Sequence, residues 1–474
     1  MTGTDFLCLT PLMIIAGAPL VIMLTIAYRR VYRVIFGFSL LAFILSLLSL
    51  YFVVPVIPQM VSELLIIDGF TILLSAIILL ACIVITLLSG NYLLRQEGEK
   101  EEYFVVLFIA ALGSLILVAA ANFVSLFLGL ETLSISLYIL IAYRRSDEHA
   151  IEAGVKYLVL ASVASAFLLF GMGLIYLYAG SLEFSMIATF LSTKGFTNPL
   201  LLAGFGMMMV GVGFKLALVP FHMWTPDVYQ GAPLPVATFI ATVSKAAVMA
   251  VILRFFYSIR GFGNYNFIMA ISYIAILSMF VGNLLAIRQQ NIKRILAYSS
   301  ISNMGYLLVT LLVGGTEGVS AAIFYIISYI LTTLAAFGVI VLLSDKVRDA
   351  ETLDDYKGLF WKKPWIASIF TIAMLSLAGI PLTTGFMAKF YIVFAGIHTN
   401  LWLMVISLVI NSVIGLYYYI RVVATMFSPA KDDELPVTSQ SMQIVLTLIA
   451  VCILWLGVFP QWIFNLIARY SGMV

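Results

Sequence analysis

The chain has 474 residues, of which 63% are hydrophobic and 10% are charged, and its formal net charge is +3. Soluble globular proteins carry about 25% charged residues, so this composition favours a protein embedded in lipid. The small net charge argues against a nucleic-acid partner. With only three cysteines and three histidines, the chain has too few soft ligands for a haem or iron–sulfur centre of its own, and we expect no cofactor in it.

Apolar runs recur along the whole sequence. A membrane-spanning helix needs about 20 apolar residues. By that criterion about fourteen runs qualify: 8–27, 34–54, 69–89, 103–121, 123–143, 155–179, 200–222, 233–257, 266–287, 295–313, 318–343, 364–396, 401–427 and 441–465. The pattern predicts an all-α integral membrane protein surrounded by the lipid bilayer.

Two of these runs are interrupted by proline. The seventh has Lys215 shortly before Pro220, and the twelfth has Pro381 shortly before Lys389. Proline removes a backbone donor and clashes with the preceding turn, so both helices should break. In a bilayer, such breaks are tolerated only where they are buried in protein or line a hydrated cavity.

The two interrupted runs also suggest an internal repeat. Each is the fourth in a group of five spans, and an odd number of spans inverts the second copy relative to the first. Inverted repeats with broken helices are typical of transporters. We therefore predict one membrane domain over 1–474, in four parts: a three-helix segment at 1–100, a five-helix repeat at 103–257, its inverted copy at 266–428 and a C-terminal helix at 441–474.

The basic residues predict the orientation. Most Lys and Arg fall in alternate loops on one side, whereas the opposite side has only Lys194, Arg254, Arg260 and Arg469. Because cytoplasmic loops carry the excess of Lys and Arg, we expect both termini on the outer side of a bacterial inner membrane.

Four charged residues fall within apolar spans. Glu131 is central to the fifth span, Lys245 to the eighth, and Lys215 and Lys389 flank the proline breaks. Left facing lipid, four such charges would cost roughly 10–14 kcal/mol. They must be paired, hydrated or neutral part of the time, and a line of titratable groups at similar depth indicates a proton path. The alternative is a static buried ion pair of Glu131 with Lys215.

Three further residues have two interpretations each. His222 either relays protons, since histidine titrates near neutral pH, or caps a carbonyl freed by the break. Lys156 either forms an ordinary i, i+4 pair with Glu152 or tunes Glu131. Asp227, which follows the first break, either gathers protons or is simply solvated.

Five stretches resemble a known family along the whole chain. They read SLFLGLE at 125–131, GFKLALVPFHMWTPDVYQGAP at 213–233, NIKRILAYSSIS at 291–302, LSLAGIPLTTGFMAKF at 375–390 and IGLYYYIR at 414–421. The chain resembles the antiporter-like membrane subunits of proton-pumping NADH–quinone oxidoreductase, respiratory complex I, and the combination favours subunit N. Some of the individual motifs also occur in related antiporter-like subunits.

The resemblance implies roles and partners. It implies fourteen helices, Glu131 and Lys215 as a switchable pair, Lys245 as a connector and Lys389 nearer the exit. It also implies sister membrane-arm subunits as partners, with NADH, flavin, iron–sulfur clusters and quinone bound by other subunits. One position departs from the family, which commonly has histidine where this chain has Asn303. Asparagine orients water but carries no proton as imidazole does. Either water bridges that step or the position is not on the obligatory path, and we expect the former.

The leading hypothesis from the sequence is a proton-translocating subunit of a quinone-reducing dehydrogenase. A second hypothesis is a subunit of a multi-subunit sodium/proton exchanger or a membrane-bound hydrogenase. Sodium transport would call for carboxylates near the midplane, where this chain offers mostly lysines. A third hypothesis is a scaffold subunit that holds the membrane arm together without pumping.

Overall fold

The computed structural model describes residues 2–95, 98–195, 198–259, 265–345, 348–429 and 439–472. Its N-terminal part has three long helices and a small antiparallel hairpin, in which Met60 pairs with Ile66. In chain order these elements are α1 (Gly3–Tyr28), α2 (Tyr32–Val53), a 3₁₀ turn (Val54–Val56), β1 (Gln59–Val61), β2 (Leu65–Ile67) and α3 (Gly69–Leu94).

The next part contains the first predicted break. Its helices are α4 (Glu102–Ala119), α5 (Phe123–Ile141), α6 (Glu148–Ala179), α7 (Phe184–Lys194), α8 (Pro199–Leu216), α9 (Trp224–Gly231), α10 (Leu234–Phe239) and α11 (Lys245–Ser258). A π-helical turn, Ile240–Ser244, joins α10 and α11 into one span, Leu234–Ser258.

The last part contains the second break. Its elements are α12 (Tyr265–Ile287), α13 (Ile292–Val313), α14 (Gly315–Leu343), a 3₁₀ turn (Leu353–Tyr356), α15 (Leu359–Lys362), α16 (Pro364–Ala378), α17 (Thr384–His398), α18 (Trp402–Phe427), α19 (Gln440–Val458) and α20 (Gln461–Tyr470).

The structure confirms the predicted fold class. Among the described residues, thirteen helices are long and apolar enough to cross a membrane. The twelfth predicted run is split into α16 and α17, and the seventh ends as a helix at Leu216. The last predicted run, 441–465, is wrong at its end, because α19 stops at Val458 and the short helix α20 follows. The inverted repeat stays a prediction.

The core lies at the centre of the bundle. The spans Leu234–Ser258 and Ile292–Val313 each contain an 18-residue stretch in which every residue is buried, whereas only a third of the residues are buried in the corresponding stretches of Gly3–Tyr28 and Glu148–Ala179. A helix that is apolar on every side is expected in the interior. The two central spans carry Lys245 and Ser300, which contacts it, so these polar residues lie in the best-buried part of the fold.

The position of Arg254 differs from the one predicted from the pattern of basic residues. The sequence places it in an outer loop, but its side chain is buried in α11 and donates two hydrogen bonds to the Asp68 carboxylate, at 2.7 and 2.9 Å. Asp68 also caps α3 by accepting from the Thr71 N–H at 2.9 Å. This charge is therefore internal and joins the N-terminal segment to the central span. Arg260 lies outside the described residues.

Glycine lets two helices approach closely. A Cβ added to Gly171 of α6 would lie 2.5 Å from the Gly204 carbonyl oxygen of α8. Small residues permit such close packing between membrane helices. We expect Gly171→Leu to destabilise the folded protein by roughly 1–3 kcal/mol, because the two helices must separate. A thermal melt in detergent measures this.

The same helix offers a control for Gly171→Leu. A Cβ on Gly173 would have no neighbour within 4 Å, so Gly173→Leu should melt like the wild type. Equal melting temperatures for both variants would contradict the close packing of α6 against α8.

Candidate functional site

The first candidate pair lies where α5, α6 and α8 meet. The half-buried Glu131 of α5 accepts a hydrogen bond from the Ser165 hydroxyl of α6 at 2.5 Å. Lys215 lies in the last turn of α8, is 3% exposed and donates to the Ser134 hydroxyl at 2.6 Å. Its ammonium also lies 5.2 Å from the centroid of the Tyr157 ring, within cation–π range.

Glu131 and Lys215 do not form a direct ion pair in this structure. No nitrogen–oxygen distance of 4.0 Å or less joins these two described residues. Ser134 follows Glu131 by three residues on α5, so it lies on the same helical face. Each charge is therefore hydrogen-bonded to a serine hydroxyl, Glu131 to Ser165 and Lys215 to Ser134.

The second element of the site is the Ser300 cluster, in which Lys245, Tyr229 and Tyr329 surround the Ser300 hydroxyl. The lysine is 1% exposed, directly follows the π-helical turn and donates to the Ser300 hydroxyl of α13 at 2.5 Å. Tyr329 of α14 donates to the same oxygen at 2.7 Å, and Tyr229 of α9 lies 3.3 Å from it. π-Helical turns occur frequently at functional sites.

The Ser300 hydroxyl receives more donors than it can accept. A hydroxyl has two acceptor lone pairs and one proton, so Lys245, Tyr229 and Tyr329 cannot all donate to it at once. One contact must reverse, and a neutral lysine amine can accept the serine proton. The cluster is thus suited to exchanging a proton between Lys245 and its surroundings.

A small cavity adjoins the Ser300 cluster at Tyr329. Asn303 receives a hydrogen bond from the Tyr325 hydroxyl at 2.6 Å and donates to the Ser299 carbonyl at 2.8 Å. Asn303, Tyr329 and Lys389 line one cavity of about 10 Å³. That volume is close to what one water molecule needs, and the lining offers it polar partners.

Lys389 donates hydrogen bonds to the C-terminal end of α16, where the predicted twelfth span is interrupted. Its nitrogen donates to the carbonyl oxygens of Leu377 and Ala378 at 3.0 and 2.9 Å, and to the Ser412 hydroxyl at 3.0 Å. These carbonyls are freed because α16 ends there, with Gly379 in the left-handed conformation at φ 85°. The lysine is 8% exposed, and three acceptors satisfy its ammonium.

A charged cavity of about 340 Å³ opens on the side predicted to be inner. Its lining includes Lys156, Asp227 and Lys293, the last of which is 1% exposed and pairs with Asp349 and Glu351 at 2.6 and 2.7 Å. Gln230 and Gly231 also line it, next in sequence to Tyr229 of the Ser300 cluster. The cavity therefore reaches the chain segment that contacts the central lysine.

Two of the secondary candidates are ion-paired with each other. Lys156 lies 2.7 Å from Glu152 and 3.1 Å from Asp227, and Arg294 lies 2.9 Å from the second Asp227 oxygen. Lys156 thus forms the predicted helix pair and adds a link from α6 to α9. Asp227 is an ionic bridge between three helices rather than a freely solvated carboxylate.

Asp227→Asn tests whether this carboxylate gathers protons. Burial alone would raise the pKa of the Asp227 carboxyl, but hydrogen bonds from Arg294 and Lys156 outweigh it and hold the pKa below its usual range. Its stabilising effect is therefore present above the ordinary pKa of about 3.9 and is lost only as the pH falls through the lower folded-state value.

We expect Asp227→Asn to leave the pH profile of activity unchanged between about pH 6 and 8. Because the pairs are partly exposed, stability should fall by at most about 1 kcal/mol. Activity recorded across that pH range checks the first statement and a thermal melt the second. A displaced pH profile would restore the proton-gathering interpretation.

His222 is buried at the first break. It lies between α8 and α9 and is 7% exposed, and neither ring nitrogen reaches full hydrogen-bond geometry with a described residue. The Pro220 carbonyl at the break is the backbone group that interacts with the imidazole. The carbonyl cap and the proton relay both stay predictions, and no hydrogen bond or ion pair joins His222 to the lysines among the described residues.

Sequence reasoning found the charges but missed the groups that contact them. The serines Ser134, Ser165, Ser300 and Ser412 and the tyrosines Tyr229 and Tyr329 have no pattern that marks them in advance. Of these six, Ser300 and Tyr229 lie in family-like stretches, 291–302 and 213–233, which are the signals that could have marked them. Among the described residues, no group of three or more His, Cys, Asp or Glu side chains is placed to hold a metal ion.

Taken together, the fold and the site define a class of protein. The chain is a polytopic α-helical membrane protein in which two broken helices and a central span bury lysines. The family model described as NADH:quinone oxidoreductase/Mrp antiporter, TM, matches residues 120–415. NADH-quinone oxidoreductase subunit N of Methylococcus capsulatus is 43% identical over 97% of this chain and 94% of that relative. The chain belongs to this family of membrane subunits.

Solved structures agree with this assignment. A chain of respiratory complex I from Thermus thermophilus is 31% identical, with a TM-score of 0.83 over 97% of this chain and 100% of that one. A chain of the membrane-bound sulfane sulfur reductase, an archaeal respiratory membrane complex, is 26% identical, with a TM-score of 0.86 over 99% of this chain and 96% of that one. Chains with this fold thus occur in both of these membrane complexes.

Proposed function

We propose that this protein is a proton-translocating membrane subunit of an NADH–quinone oxidoreductase. It moves protons through Glu131, Lys215, Lys245 and Lys389 while NADH oxidation and quinone reduction take place on other subunits. NADH, flavin, iron–sulfur clusters and quinone are bound by those partners. The protein assembles with sister subunits in a membrane arm, in a bacterial inner membrane with both termini outside.

One observation carries this proposal. Lys215, Lys245 and Lys389 are 3%, 1% and 8% exposed, and none forms an ion pair with a carboxylate within 4.0 Å among the described residues. A buried lysine without a fixed counter-ion favours its neutral form, and hydrogen bonds to hydroxyls let it accept or release a proton. Static structural lysines are expected to resemble Lys293, which has two carboxylate partners.

The geometry supports a route with one open step. The charged cavity, on the side predicted to be inner, would give water access, and Gln230 in its lining is next in sequence to Tyr229, which contacts Ser300. Tyr329, which also contacts Ser300 beside Lys245, lines the cavity at Asn303 together with Lys389. No hydrogen bond joins Lys215 to Lys245 among the described residues, so that step needs water or side-chain movement. Distant electron transfer would drive the cycle by changing the charge around Glu131 and Lys215.

Sodium/proton exchange is a second candidate function, because the family description names an antiporter beside the oxidoreductase. The charge composition favours protons, because Lys215, Lys245 and Lys389 repel cations and Glu131 is the one carboxylate of the set. A membrane-bound hydrogenase subunit and a non-pumping scaffold are two further candidate functions. Sodium-dependent transport that persists without a proton gradient would support the exchanger.

Lys389→Ala tests the proposed function in the assembled complex. We expect normal assembly on a native gel, with proton translocation in inverted membrane vesicles reduced at least about tenfold, as for loss of a proton-transfer group. Lys194→Ala is the matched control, because Lys194 is exposed at the end of α7. Unchanged pumping by an assembled Lys389→Ala complex would favour the scaffold.

A further inference from the structure

Two buried asparagines form a polar cluster that proton transfer through the lysines does not use. Asn283 of α12 is 1% exposed and Asn411 of α18 is 0% exposed. The Asn283 amide donates to the Asn411 backbone carbonyl at 3.0 Å and to its side-chain oxygen at 3.2 Å. Buried amides deep in a membrane bundle are costly unless they are paired, so this pair fixes α12 against α18.

The cluster also holds two tyrosine hydroxyls. Asn283 donates to the Tyr306 hydroxyl of α13 at 3.1 Å and accepts from the Tyr418 hydroxyl of α18 at 3.0 Å. Asn411 donates to the Ser407 carbonyl at 2.9 Å. Both side-chain amides are therefore hydrogen-bonded through nitrogen and oxygen, and the Tyr306 ring is held at its hydroxyl end.

Lys389 lies over the ring of Tyr306. Its nitrogen lies 5.1 Å from the centroid of the Tyr306 ring. An aromatic face at this distance attracts an ammonium, and the attraction is stronger away from water. Neutral lysine gains nothing comparable, so the ring favours the protonated form of Lys389.

Few other titratable groups face Lys389. From α14, Tyr325 and Tyr329 share the small cavity with it. α16 and α18 contribute two carbonyls and the Ser412 hydroxyl. α19 contains no Asp, Glu, Lys, Arg or His, and α17 itself has one other such residue, His398, in its last turn. Besides the three hydrogen-bond acceptors, the Tyr306 ring is therefore the aromatic side chain whose contact distinguishes the two protonation states of Lys389.

We propose that Tyr306 sets the pH at which Lys389 releases its proton, and that Asn283 is the positioning residue that holds the Tyr306 ring against the ammonium. This inference rests on the proposed function, because it concerns the proton carried by Lys389. It adds a tuning element, made of α12, α13 and α18, to the exit half of the path.

The test is the pH profile of proton translocation in vesicles that contain the whole complex. Tyr306→Leu removes the ring, so the ammonium is less stable and the alkaline limb of the profile should move to lower pH by about one unit. Tyr306→Phe and Asn283→Leu each release the ring from its anchor. Both should produce a smaller shift in the same direction.

A double-variant comparison separates positioning from a general packing effect. Asn283→Leu should add no further shift to Tyr306→Leu, because no ring is left to position. Tyr103→Leu is the control: Tyr103 is fully buried and bonds Ser89 in the N-terminal part, and its loss should leave the profile in place.

Two results would overturn the inference. One is a wild-type pH profile for Tyr306→Leu. The other is a pH shift caused by Asn283→Leu that is as large in the Tyr306→Leu background as in the wild type. If Tyr306→Leu fails to assemble, Tyr306→Phe decides alone, since it removes a single oxygen. Loss of pumping in Lys389→Ala combined with an unshifted Tyr306→Leu profile rejects this inference while the proposed function stands.

Discussion

Replacing Lys245 with alanine is expected to reduce proton translocation at least about tenfold, because removal of a positioned proton-transfer group typically costs 10²–10⁴-fold in rate. Lys245 is the most buried of the three lysines and the donor at the centre of the Ser300 cluster. Without it, the hydroxyls of Tyr229 and Tyr329 remain but have no basic group to receive a proton. The measurement is the rate of acidification of inverted vesicles during NADH oxidation.

The controls for Lys245→Ala separate chemistry from folding. Ser300→Ala keeps the lysine and removes its partner, so pumping should fall less than in Lys245→Ala. Lys357→Ala removes a lysine that is 38% exposed and paired with Asp354, and it should pump as the wild type does. An assembled Lys245→Ala complex that pumps at the wild-type rate would remove Lys245 from the path.

Breaking the buried pair of Asp68 with Arg254 is expected to have the largest effect on folding. The side chains are 1% and 3% exposed and lie 2.7 Å apart. Loss of one partner leaves the other charge buried and unpaired, which costs about 3–5 kcal/mol. Arg254→Met and Asp68→Leu should each lower the melting temperature sharply and reduce assembly.

The double variant Asp68→Leu/Arg254→Met distinguishes the pair from ordinary packing. With both charges gone, no unpaired charge remains, so stability should recover much of what either single variant loses. Additive losses would show instead that the two side chains act independently. The thermal melt of the four proteins in detergent provides this comparison.

The fold was largely predictable because the lipid bilayer constrains the length and composition of each span. Apolar runs of about 20 residues predict spans, and proline predicts the breaks next to Lys215 and Lys389. The short helix α7 and the hairpin of β1 and β2 fall below that length. Their backbone hydrogen bonds form over short local segments, which hydropathy does not report.

The site was predictable only in its charged members. A charge inside an apolar run is conspicuous, so Lys245 and Glu131 could be found from the sequence. Ser300 and Asn283 are single polar residues in helices distant along the chain, and their importance arises from which helices pack together. Arg254 was misplaced because a lysine or arginine near a helix end suggests a loop, whereas a buried partner such as Asp68 is invisible without the fold.

Hydroxyls replace direct ion pairs in this site. Lys215 donates a hydrogen bond to Ser134 and Lys245 donates to Ser300. Lys389 donates to Ser412 and to two backbone carbonyls. A lysine locked to a carboxylate would hold its proton firmly, as expected for Lys293. Partners that both donate and accept allow the proton to be passed on, and this difference is the physical basis of the proposed path.

The most direct test is the ratio of protons translocated to electrons passed to quinone, measured in vesicles reconstituted with the intact complex and the Lys215→Ala variant. The proposed path predicts an assembled variant complex in which the residual electron transfer moves fewer protons or is slowed together with pumping. An assembled variant with both the wild-type ratio and the wild-type rate would contradict a proton path through the buried lysines.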